Sequence, residues 1–162
     1  MKTETIVKVA VVAALYVVLT ISIAPISYRD IQFRISEVLV LLCFYRRDYI
    51  YSLIVGCFIA NIFSPMPMDI IFGTLHTAIS VILISRSKNL FIASLIPTLL
   101  MPIIAFELYF FLQLPFWLSL LTSAIGEFIV VSIIGYSIFK VLEKNTGFME
   151  LIGADERIYN EI

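Results

Sequence analysis

The chain has 162 residues, 61% of them hydrophobic and only 14% charged, with a net charge of −1 and a mean hydropathy of +1.04. A soluble domain of that length cannot hide so much apolar surface, because area grows too fast relative to volume, whereas lipid is a solvent that suits it. A near-neutral charge without a basic stripe excludes tracking of a phosphate backbone, so no nucleic-acid partner is expected.

In chain order, Met1 to Lys8 precedes an apolar stretch without a convincing small-x-small cleavage site, so this is read as a retained first helix rather than a signal peptide. That helix runs from about Ile6 to Ile23 and is stopped by Ala24-Pro25. After the polar stretch Tyr28 to Arg34, a short second segment runs from Ile35 to Tyr45 and ends at Arg46-Arg47-Asp48. A third covers about Tyr49 to Phe63 and stops at Ser64-Pro65-Met66-Pro67. The fourth runs from about Met68 to Ile84, and the fifth from Leu90 to Leu112, with Pro97 and Pro102 placed to kink it. The sixth and longest runs from Pro115 to about Leu142. A crossing helix needs about 20 apolar residues, somewhat fewer where flanking groups snorkel. The expected fold is therefore all-α and polytopic: a six-helix transmembrane domain over 1–144 and a short polar cytoplasmic tail over 145–162, either loose or a surface helix.

Orientation follows from the cations. With six spans and both termini inside, Lys2, Lys8, Arg46, Arg47, Arg86, Lys88, Lys140, Lys144 and Arg157 are cytoplasmic, and only Arg29 and Arg34 fall outside. That is the bias expected of a cell-membrane protein. Trp117, Tyr109 and Phe116 then lie at the outer interface, as aromatic belts do.

Ionisable groups inside a membrane are costly and ask for a reason. Glu37, Asn61, His76, Glu107 and Glu127 lie within or beside spans, with Asp69 and Gln32 next to them, and on this topology all fall in the outer half. No comparable set occupies the inner half, which describes a pocket open outward and sealed below. Arg34 and Glu37, three apart, read either as an interfacial ion pair or as ligand contacts. Glu107 reads as a ligand contact or as a group facing water near the headgroups. His76, on one face with Phe72 and Ser80, reads also as a helix–helix hydrogen-bonding group. Glu127 has no basic neighbour at helical spacing, so it must be protonated, paired across helices or bound to ligand. Ser119 and Ser123 extend its stripe toward Trp117 at spacings of four. Carboxylates with amide and aromatic neighbours suit a flat, donor-rich, cationic solute, since a carboxylate accepts paired N–H donors and aromatic faces stack a ring. An anionic solute would call for basic groups deep in the pocket, where none is expected.

Cys43 and Cys57 sit in apolar runs and read as free thiols, not as a disulfide or metal site. One histidine without paired metal-ligand spacing makes a small intramembrane enzyme a weak reading, and no metal or catalytic residue is assigned. No Gly-rich phosphate loop is present, so uphill transport would draw on a partner or an ion gradient. Ala10 and Ala14 form a small-xxx-small face on the first helix, suited to close approach by a partner helix or by this chain's own bundle. A stand-alone proton-coupled carrier with Glu127 as the proton site is the other class of function left open.

The stretches Ile31 to Leu39, Gly56 to Pro65, Asp69 to Leu75, Ser85 to Phe91, Glu107-Leu108-Tyr109 and Gly126-Glu127-Phe128 together resemble the QueT family, in order and across nearly the whole chain. That family is regarded as substrate-binding (S) components of energy-coupling factor (ECF) transporters, a kind of ABC importer, for queuosine precursors such as 7-aminomethyl-7-deazaguanine. The resemblance implies an S-component-like bundle of six helices in a prokaryotic plasma membrane. It also implies a membrane scaffold subunit docking on Ala10 and Ala14, and two cytoplasmic ATPase subunits that use the ATP, with no cofactor in this chain. Met66-Pro67-Met68, in place of a more glycine-like loop, and His76, in place of a small residue, depart from the family pattern.

Overall fold

A computed structural model describes residues 3–23 and 34–154, and these are helical throughout, without a strand. Helix α1 is Thr3–Ser22, and α2 is Ile35–Tyr45. Helices α3 (Tyr49–Ile62), α4 (Asp69–Ile84), α5 (Leu90–Leu99) and α6 (Pro102–Leu112) follow. The long α7 (Phe116–Leu142) and the short α8 (Thr146–Ile152) complete the chain. Three segments are long and apolar enough to cross a membrane: α1, the α5–α6 pair over Leu90–Leu112, and α7. The other three, α2, α3 and α4, are apolar but shorter.

Local chemistry sets these boundaries. Pro102 has no N–H to continue the helix from Leu99, and Met101 N–H bonds instead to Thr98 O, so the fifth segment breaks into α5 and α6. Asn89 caps α5 by accepting from the Phe91 and Ile92 N–H groups. In α2 the first seven residues, Ile35–Leu41, wind as a 3₁₀ helix. At about 2.0 Å per residue that winding makes α2 roughly 20 Å long, a few ångströms more than an α-helix of the same residues. In α7 the stretch Phe128–Gly135, immediately after Glu127, is π-helical, a widening often found at functional sites.

The helices close into a ring. Helix α1 packs on α3 and α2, α3 on α4, α4 on α5 and α6, and α7 on α6, α5 and α2. The α1–α3 crossing is tight at Gly56, where a Cβ would lie 3.0 Å from Ala13 O and 3.1 Å from Tyr16 Cβ. The apolar core of Tyr16, Val40, Leu41, Tyr45, Leu53, Val81, Ile84 and Val131 fills one end of the ring.

That end also gathers the two ends of the described chain. Arg46, in the α2–α3 turn, bonds Asp48 at 2.8 Å, Thr5 Oγ1 at 3.0 Å and Gly153 O at 3.4 Å. Tyr45 OH donates to Glu143, and Tyr49 OH to Ile152 O. Helix α8 is therefore docked rather than loose, with Met149 and Ile152 buried. At the opposite end lie the start of α2 and the α3–α4 turn, and there the polar interior begins.

Candidate functional site

The polar side chains that the sequence distributes over 90 residues meet in one place. A cavity is lined by Arg34 and Glu37 from the start of α2, Gly73 and His76 from α4, Met101 and Ile104 from the α5–α6 break, and Glu127 from α7. It leaves about 10 Å³ to the centres of water molecules, which is room for roughly one water. All of its charged groups are buried: Arg34 is 5% exposed, and Glu37 and Glu127 are 2% each.

Each group is held in its own way. Glu37 Oε1 accepts from Tyr16 OH and, at 3.4 Å, from Thr77 Oγ1, while Oε2 meets no donor. His76 Nε2 lies 3.0 Å from Pro97 O. A carbonyl can only accept, so this nitrogen carries the proton. Pro97 O also accepts from the Leu100 N–H, and its second lone pair is left for the imidazole because Met101 N–H has turned to Thr98 O. Glu127 Oε1 is buried without a donor. The hydroxyl of Ser123, on the same buried face of α7, is spent on Ser119 O at 2.7 Å.

A second layer adjoins the cavity. Arg34 reaches Asp69 Oδ2 at 3.3 Å, which Ser64 Oγ also contacts. Asn61 Nδ2 donates to Asp69 O at 2.9 Å, tying the end of α3 to the start of α4. Glu107, from α6, is fully buried beside the Asp69 carboxyl.

The structure arranges several of these groups differently from the sequence reading. Arg34 crosses to Asp69, while Glu37, in the 3₁₀ start of α2, turns inward to Tyr16. A basic group therefore does lie deep in the pocket, although the carboxyls of Glu37, Asp69, Glu107 and Glu127 outnumber it. Tyr109 and Trp117 stand apart from the cavity, 47% and 78% exposed, in an aromatic surface cluster with Phe110 and Phe116. The face of α6 that buries Glu107 and Leu108 turns Tyr109 outward. Gln32 lies outside the described residues.

Sequence reading missed Tyr16 and Ser64, which hold two of the carboxyls, and Gly73. A Cβ at Gly73 would come within 2.8 Å of Asn61 Nδ2 and 3.5 Å of an Arg34 guanidinium nitrogen. Gly73→Ala is expected to displace Asn61 into the cavity. Overpacking of this kind costs about 1–3 kcal/mol, so ligand affinity should fall roughly 5- to 150-fold. Titration calorimetry of the purified variant checks it, and wild-type affinity would mean that the cavity lies elsewhere.

Apolar helices of crossing length that close around a buried, acid-rich interior define a multi-pass membrane protein. Residues 6–144 match the model of the QueT transporter family, and the chain belongs to that family. Its members are transporters, so no reaction needs to be assigned to the buried carboxyls and histidine. A curated relative, the "Queuosine precursor transporter QueT" of Lactococcus lactis subsp. cremoris (strain MG1363), is 38% identical over 144 residues, covering 78% of this chain and 85% of its own. No solved structure matches the chain.

Ala10 and Ala14 fall on the exposed face of α1, together with Val7, Val11 and Val18. Packing within the bundle uses the other side, through Ala13 and Tyr16 against Gly56. Among the described residues, none covers the Ala10–Ala14 face.

Proposed function

We propose that this chain is the membrane-embedded substrate-binding (S) subunit of an ECF-type ABC importer, which captures a queuosine precursor such as 7-aminomethyl-7-deazaguanine from outside the cell. The observation that carries the reading is the enclosed cavity with unmet acceptors on Glu37 and Glu127 beside the Arg34 donor. A guanine-like edge offers two adjacent N–H donors and one carbonyl acceptor, the complement of that set. The name of the curated Lactococcus lactis relative points to the same solute class.

In this reading all six apolar segments cross the membrane of a prokaryotic cell, with both termini in the cytoplasm. The three shorter helices measure roughly 20–24 Å against a hydrocarbon core of about 30 Å, so flanking polar groups complete their crossing. The end that gathers Lys8, Arg46, Arg47, Lys140 and Lys144 is the cytoplasmic one, as the positive-inside rule requires. The cavity then opens outward. A bicyclic solute needs more room than one water, and the flexible Met101 side chain in the α5–α6 break is the element best suited to give way. Energy comes from two partner ATPases through the membrane scaffold subunit, which docks on the Ala10–Ala14 face.

The test is thermal stability of the purified protein in detergent with 7-aminomethyl-7-deazaguanine, guanine or unrelated vitamins. A ligand bound only by the folded state adds about 2.7 kcal/mol at a hundredfold excess over Kd. Stabilisation by the deazapurine alone is expected, and a response to a vitamin instead would replace the substrate assignment. Uptake in cells that lack the scaffold and ATPases would point to a stand-alone carrier.

A further inference from the structure

Beyond the cavity wall, the interior holds a second set of acceptors that no donor meets. Glu107 is 0% exposed, and neither of its carboxyl oxygens has a hydrogen-bond donor. It lies within hydrogen-bonding reach of the Asp69 carboxyl. Asp69 is 2% exposed, and its Oδ1 is also without a donor. Its other oxygen is already taken by Arg34 and Ser64. Two carboxyl groups so close, away from water, either share a proton or draw a positive group between them. The one guanidinium at hand is spoken for by Asp69 and is shared with the cavity.

We propose that Asp69 and Glu107 form the subsite for a primary ammonium group carried by the transported solute. The inference rests on the functional reading above and assigns the two ends of the ligand to two places. The ring's N–H edge meets Glu37 and Glu127, and the aminoalkyl arm passes Arg34 to reach Asp69 and Glu107. An ammonium carries three N–H donors, and three buried oxygens, Glu107 Oε1, Glu107 Oε2 and Asp69 Oδ1, stand open to receive them. An ammonium brings the pair both donors and charge, whereas a neutral substituent brings it no charge. This pair is therefore a specificity filter, and it separates an aminomethyl-bearing ring from the same ring carrying an uncharged group.

The experiment compares 7-aminomethyl-7-deazaguanine, 7-cyano-7-deazaguanine and guanine by titration calorimetry on wild type, Glu107→Gln and Glu107→Asp. Hydrogen bonds to charged groups predict that wild type favours the amine over the nitrile roughly 10- to 100-fold. Glu107→Gln should bring that ratio close to one, and Glu107→Asp should restore part of it. A general packing defect would weaken both ligands alike and leave the ratio unchanged, which would overturn the inference. So would a wild type that binds amine and nitrile equally, a result that needs no variant to read. If wild type bound none of the three rings, the functional reading itself would fall and the subsite with it.

Discussion

Replacing Glu127 by methionine is expected to make the ligand-free protein more stable while weakening its response to ligand. The side chain is buried to 2% exposure, its Oε1 has no donor, and it lines the cavity. An orphaned buried polar atom costs about 1–3 kcal/mol. An apolar side chain of similar volume and shape removes that cost without opening a hole. For a chain of this length each kilocalorie moves the thermal midpoint by roughly 2–4 °C, so a rise of a few degrees should be visible in detergent. The same change deletes an acceptor for the ring's N–H edge, and losing a hydrogen bond to a charged group should weaken binding roughly 10- to 100-fold. The two readings of this residue thus predict opposite signs. A structural ion-pair partner would lower the midpoint when replaced, since breaking a buried pair leaves a charge uncompensated. A binding group held ready at a cost to the fold raises it.

Glu127 was the residue hardest to dismiss in the sequence, and it does line the cavity. Arg34 and Asp69 show where such reasoning stops. Their contact spans 35 positions and depends on how α2 is wound, and hydropathy carries no record of a 3₁₀ turn. The segment boundaries were legible because Arg46-Arg47-Asp48, Ser64-Pro65-Met66-Pro67 and Ser85 to Lys88 are strong breaks between apolar runs. The facing of each helix was less so. In a soluble protein the polar side marks the outside, but here lipid and core are both apolar, so α6 carries little sign of which face turns inward. Tyr109 has a ring face that could stack on a flat solute, but it lies outside because its neighbours Glu107 and Leu108 take the buried face. Tyr16 gave no signal at all. A tyrosine in an apolar helix reads as packing or as an interface anchor, and only the fold reveals that its hydroxyl holds Glu37.

Enlarging Ala10 and Ala14 to valine should stop uptake while leaving ligand binding and stability unchanged. Both residues are exposed on α1, on the side away from Gly56 and the rest of the bundle. Ala10 and Ala14 are exposed among the described residues, and surface changes of this kind usually stay within about 0.5 kcal/mol. A partner helix that approaches through small residues would meet two extra methyl groups on each valine. In a close-packed helix contact such overpacking costs about 1–3 kcal/mol per site, enough to lower the population of the assembled transporter by on the order of tenfold or more. The measurement pairs two readouts: accumulation of labelled deazapurine in cells that express the energy module, and the ligand-induced thermal shift of the purified variant. Lost uptake with an intact shift separates capture from translocation and places the α1 face in the coupling contact. Intact uptake would move the docking contact to another surface of the bundle, while the cavity between α2, α4, α6 and α7 kept its role.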